Sequence, residues 1–113
     1  MSSEFSFLAF TEMEIPTTVV SAIWIGREIA RSGDTVVVEG NHYFPRDDVD
    51  ADALAPSATT SFCPWKGAAH YHSVVIDGAI NHDAAWYYPD PKDAAAEIRD
   101  RIAFWKGVEV REE

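Results

Sequence analysis

The chain has 113 residues, 19 acidic against 9 basic, a net charge of -10 and 47% hydrophobic side chains. That length suits one domain burying about two-thirds of its unfolded surface, and the hydrophobic content excludes a disordered chain. The acidic balance excludes the clustered Lys and Arg that DNA, RNA or anionic membranes demand, so neither nucleic acid nor membrane is an expected partner. With a single cysteine, Cys63, no internal disulfide can close, and the cytoplasm is the expected compartment. No stretch approaches the roughly 18 apolar residues of a membrane helix.

Residues 1–14 carry an apolar patch at Phe5, Phe7, Leu8 and Phe10 without a basic leader or small-residue cleavage site. They read as an N-terminal tail or partly ordered segment ahead of a single β-rich domain over residues 15–113. From Thr17 to Glu39 the chain is β-branched and alternating, broken at Gly26 and at Ser32-Gly33-Asp34, which predicts two or three short antiparallel strands. Residues 40–57, rich in Gly, Asn, Pro and Asp, predict a long loop with one helical turn near Asp47 to Val49. Strand character resumes near Ala68 and runs to Asp77-Gly78, a two-residue hairpin signal, with "AAWYY" as the returning strand. "DPKDAAAEIRDRI" predicts one α-helix at about residues 91–101, with Asp90 as cap, Pro91 opening it, Ala95, Ile98 and Ile102 as its apolar stripe, and Glu97 pairing Arg101. "AFWKGVEV" returns to strand.

"TSFCPWKGAAHYHSV" concentrates the chemistry. His70 and His72, two apart on a strand, share one face, and Cys63 would add a third zinc-type ligand, but no complete ligand set follows and no metal is expected. Cys63 between strands is a candidate nucleophile, set against the ordinary role of a buried free thiol. From Ala53 to Ile76 there is no Asp or Glu, so Lys66 lies in an acid-free stretch of an acidic protein, with Gly67 beside it permitting close approach of a ligand or a second backbone segment. Glu39 closes the run "TVVVE", and "YFPRDD" brings Tyr43, Arg46, Asp47 and Asp48 just after it, the make-up of a polar site at the mouth of a β-rich fold. A mutual Glu39–Arg46 ion pair is the simplest structural expectation there. Glycine-rich nucleotide loops, the H-E-x-x-H zinc motif and the G-x-S-x-G serine elbow are all missing from the sequence, and no cofactor is indicated.

"EGNHYFPRDDV", "TSFCPWKGAAHYHSV", "AAWYYPDP" and "IRDRIAFWKGVEV", in this order between Val19 and Val110, resemble the family called domain of unknown function 427, also labelled nucleotidyltransferase-like. The resemblance implies a small, antiparallel, barrel-like, mainly β domain with one C-terminal helix. It also implies recurrent polar and aromatic positions at Glu39, Tyr43, Asp48, Cys63, Lys66, Tyr71, Trp86 and Tyr88. The chain departs from the family pattern at His70 and at His72, where an aromatic is more typical. The paired carboxylates with which nucleotidyltransferases hold Mg²⁺ are not evident in the sequence.

The expected function is binding of a small anionic or aromatic ligand in a polar and aromatic pocket lined by Tyr43, Arg46, Asp48, Tyr71, Trp86 and Tyr88. Any catalysis there would draw on Glu39 as general base, Cys63 as nucleophile and Lys66 as cation. The alternative is a non-catalytic interaction module that binds a protein partner or self-associates into a homo-oligomer through exposed aromatics such as Trp105 and Phe5, Phe7 and Phe10.

Overall fold

A computed structural model of the chain describes residues 18–113, so the tail expected over 1–14 lies outside the described residues. The strands are β1 (Val20–Trp24), β2 (Arg27–Ser32), β3 (Val36–Val38), β4 (Asn41–Tyr43), β5 (Leu54–Cys63), β6 (Gly67–Ile76), β7 (Ala79–Tyr87), β8 (Ala103–Phe104) and β9 (Glu109–Glu112). They pair antiparallel in three sheets of order β2-β1-β9, β3-β4 and β5-β6-β7-β8. The fold is thus mainly β, as the alternation predicts, and three strands emerge from Thr17–Glu39.

Among the described residues the sheets do not close into a barrel. Three single bridges among these residues lie outside the ladders, Ala30 to Val49, Phe44 to Ile102 and Tyr88 to Arg99, and the second ties the end of β4 to the residue that enters β8. One cause is local: β4 is followed by Phe44 and then Pro45, which has no N–H to extend a ladder, so Phe44 exchanges its two bonds with Ile102 and the pairing stops. The chain then makes a 3-10 turn at Arg46–Asp48, where a helical turn is expected, but β4 and the start of β5 both fall inside the segment read as loop.

The C-terminal α-helix is absent from the described residues. Asp93–Ile98 forms 3-10 turns, kinked at Ala95. The segment's backbone groups are used elsewhere: Lys92 N–H bonds the Lys66 carbonyl, and Asp100 N–H bonds the Tyr88 carbonyl. Asp90 does not cap; its carboxylate meets Arg99 at 3.2 Å. The expected stripe is nonetheless buried at Ala95, Ile98 and Ile102, and the i to i+3 spacing of Ala95 and Ile98 is one that a 3-10 helix also sets on one face. Three-residue turns let this strip bury its apolar residues while staying tied to the sheet on both sides.

Two apolar clusters fill the interior. One, around Val20, Ile29, Phe44, Val74 and Ile102, joins the three-stranded sheet to β6 and β7. The other, built on Tyr43, Ala69, Tyr88, Ala95, Ile98 and Ala103 with Tyr71 and Trp86 packed against it, is the floor of the site.

Candidate functional site

Two turns carry the polar residues of the site. The first joins β3 to β4 with only Glu39 and Gly40 between the paired Val38 and Asn41. Both have positive φ, +54 and +81, the geometry of the two-residue hairpin turn whose twist matches the strands. Glycine meets this at no steric cost, whereas a residue with a Cβ resists it. Glu39 is therefore held in an unfavourable backbone conformation.

The second turn joins β5 to β6 through Pro64, Trp65 and Lys66, with Cys63 paired to Gly67. Gly67 has φ +111, and a Cβ built there would meet the Asp90 carbonyl oxygen at 3.4 Å and the Lys92 nitrogen at 3.6 Å. The turn is clamped from that side, since Lys92 N–H bonds the Lys66 carbonyl at 2.9 Å and Lys92 Nζ bonds the Pro64 carbonyl at 2.6 Å. With its backbone fixed, Lys66 turns inward and is only 7% exposed.

The two turns meet. Lys66 Nζ donates to Glu39 Oε1, and Trp65 Nε1 donates to Glu39 Oε2 at 3.3 Å, so one carboxylate spans two neighbouring donors. The Lys66 ammonium also lies 5.3 Å from the Trp65 ring centre and 5.7 Å from that of Tyr88, within cation–π range. Beside it opens a pocket of about 150 Å³ lined by Asn41, Tyr43, Lys66, Tyr71, Trp86, Tyr88 and Trp105.

The aromatic walls are locked to one another. Tyr43, fully buried, accepts a hydrogen bond from Trp86 Nε1 at 3.1 Å and meets that ring edge to face, while Trp105 meets Trp86 likewise at 5.6 Å. Tyr71 Oη shares a 2.8 Å hydrogen bond with Ser61. Trp105 is anchored through a bulge in β7, where Asp83 at φ +56 offers its carbonyl to Trp105 Nε1 at 2.6 Å. Ser57 and Thr59 of β5 bond the Asp83 carboxylate, and Ser73 of β6 accepts its N–H, so the bulge is braced by the neighbouring strand and by the strand beyond it.

The electrostatics fix the protonation states. The hydrogen bond from Lys66, followed by that from Trp65, holds the Glu39 carboxyl below its ordinary pKa. Burial pulls the Lys66 ammonium down, but the hydrogen bond to Glu39 and the surrounding acceptors outweigh it, leaving Lys66 above its ordinary value. Burial pushes the Tyr43 and Tyr88 phenols up, with the Lys66 charge acting against the rise. At neutral pH the site thus holds the Lys66–Glu39 ion pair and two neutral phenols. A protonated amine has no free lone pair and is not a nucleophile.

Of the residues singled out in the sequence, Glu39, Tyr43, Lys66, Tyr71, Trp86 and Tyr88 come together here. Cys63, half-buried at the foot of the Lys66 turn, lies within electrostatic reach of Tyr43 and Tyr88. Arg46 and Asp48 do not join them. The expected Glu39–Arg46 pair is replaced by Glu39–Lys66, and Arg46 lies over the Tyr87 ring at 4.5 Å, bonded to the Asp100 carbonyl and to His72 Nε2. Asp48 stays exposed in its 3-10 turn. Asn41, Trp65 and Trp105 were missed as site residues. Register exposes the first, because a two-residue Glu39-Gly40 turn sets Asn41 directly opposite Val38.

His70 and His72 do share a face of β6, where both rings pack on Tyr87, His72 stacked at 4.8 Å. Among the described residues no group of three or more His, Cys, Asp or Glu side chains is arranged to hold a metal ion. Among the same residues no helix is long and apolar enough to cross a membrane. No curated protein matches the chain. A family model, NTP_transf_9, described as Domain of unknown function (DUF427), matches residues 13–113, and the chain belongs to that family.

Proposed function

We propose that this domain binds a small, flat, anionic ligand in the pocket beside Lys66. The observation that carries the reading is a buried ammonium opening onto an aromatic-walled cavity. Burying a lysine is unfavourable unless the charge is used, and one half-exposed carboxylate is a thin structural reason for it. A cavity near 150 Å³ holds a ligand of about benzene's size. In this reading Lys66 docks the negative group, the Tyr43 and Tyr88 hydroxyls donate to it, and Tyr71, Trp86 and Trp105 sandwich the flat body.

The family name points to nucleotidyl transfer, which uses carboxylates to hold Mg²⁺. The pocket lining contains no carboxylate, and the adjacent Glu39 is committed to Lys66 and Trp65. Binding is therefore the reading the geometry supports best. The test is a tryptophan-fluorescence titration with small aromatic anions and their neutral counterparts, on the wild type and on Lys66→Met. Anion-selective quenching that the variant loses is expected. Equal response of the two proteins, or no response to any anion, would overturn the proposal.

A second reading, self-association, is favoured by β5, an edge strand of the four-stranded sheet that carries Phe62 at 67% exposure. Sedimentation velocity of Phe62→Asp against wild type decides it: an unchanged monomer in both rules it out.

A further inference from the structure

Resting on the anion-binding reading and deepening it, we propose that the ligand is a flat monocarboxylate and that Glu39 is the resident carboxylate it displaces. The donors already display their preference. Lys66 Nζ takes Glu39 Oε1 and Trp65 Nε1 takes Oε2 at 3.3 Å, so two donors from consecutive residues address the two oxygens of one carboxylate. That is the pattern a ligand carboxylate would inherit. A neutral amide of the same shape would offer one acceptor oxygen and lose the charge attraction of Lys66.

Two features make Glu39 the exchangeable partner. Its side chain is 51% exposed, whereas the Lys66 side chain is 9% exposed, so Glu39 is rehydrated on leaving while Lys66 is not. It stands at the tip of a hairpin with only three residue pairs, and the space around the neighbouring Gly40 is open, with nothing within 4 Å of a built Cβ. On the opposite side, residues 53–76 carry no Asp or Glu, so that stretch supplies no competing carboxylate to the pair of donors.

The experiment compares wild type with Glu39→Gln, titrating each with benzoate and with benzamide and following the Trp65 indole N–H resonance, assigned by Trp65→Phe. Displacement predicts that benzoate moves the Trp65 resonance in the wild type and binds the Gln variant about fivefold more tightly or better, while benzamide shows no such gain. If benzoate binds the wild type but the Gln variant binds it equally or more weakly, Glu39 is part of the ligand's own contacts, and displacement is overturned while the pocket stands. If benzoate binds neither folded protein, the carboxylate proposal falls, and silence to the wider anion panel would take the pocket reading with it.

Discussion

Replacing Lys66 by Met removes the charge while keeping most of the volume, and separates a structural lysine from a functional one. Truncating one member of a buried ion pair ordinarily costs about 3–5 kcal/mol, because the partner charge is left stranded. Here the partner is not buried: the Glu39 side chain is 51% exposed and returns to water when Lys66 is gone. The loss on that side is then that of a half-exposed pair, about 0–1 kcal/mol. Two cation–π contacts, to Trp65 and Tyr88, add about 0.5–1 kcal/mol each to the loss. Against them stands the desolvation of a lysine side chain only 9% exposed, worth several kcal/mol in the opposite sense. The losses sum to about 1–3 kcal/mol and the relief of desolvation is at least as large, so the variant is expected to be no less stable than the wild type, with an unchanged or raised Tm. Calorimetry or urea unfolding reads it. A loss above about 3 kcal/mol would refute the reasoning, because Lys66 would then be a structural strut and its burial would need no ligand.

Three further outcomes follow from the same geometry. The Nδ1 atom of His72 is buried without a hydrogen bond among the described residues while Nε2 meets Arg46, so His72→Phe, which keeps the stack on Tyr87, relieves the first and loses the second and is expected to leave stability within about 1 kcal/mol of wild type in urea melts. Gly67→Ala forces a Cβ into a backbone at φ +111 facing residues 90–92, and a loss of about 1–3 kcal/mol is expected by thermal unfolding, with the Lys66 turn displaced. Because the folded Glu39 carboxyl lies below its ordinary value of 4.5, the unfolded chain takes up that proton first as pH falls; the stability contribution is complete above pH 4.5 and is lost below it. The Tm difference between wild type and Glu39→Gln should therefore be flat from pH 7 to 5 and shrink below 4.5, and a difference that grew with acid would contradict the pairing.

What the sequence disclosed depended on whether local signals agreed with the global fold. Asp77-Gly78 is legible because Asp and Gly both suit positive φ and strand-like residues flank them. Glu39-Gly40 makes the same turn, yet Glu is not a residue that selects left-handed backbone, so the Val36–Val38 strand reads as running into a loop and β4 is lost. The helix at 91–101 was expected because Asp-Pro, a run of alanines and an i, i+4 pair are all helix signals. It fails because the backbone of 92–102 is bonded to the Lys66 turn, to Tyr88 and to Phe44, partners no local pattern encodes. Lys66 was found by the missing acids around it. Its partner, 27 residues away in sequence, needed the fold.

Strain by itself does not single out Glu39, since Ile25 and Lys106 also occupy positive φ before a glycine. Those two show that the chain tolerates a non-glycine residue at the first position of such turns, so no function follows from φ alone. The difference lies in what the side chain does. Ile25 stays 59% exposed, and the Lys106 amine bonds a nearby carbonyl of β7, both at the surface. Glu39 instead places its carboxylate on two donors of a turn 26 and 27 residues away, one of them buried. Asn or Gly would fit the backbone better, but Gly offers no acceptor and Asn is one methylene shorter and uncharged. The local cost is thus matched to a reach and a charge that neither Gly nor Asn supplies, and under the proposed reading this singles out Glu39 rather than Cys63 or the histidines.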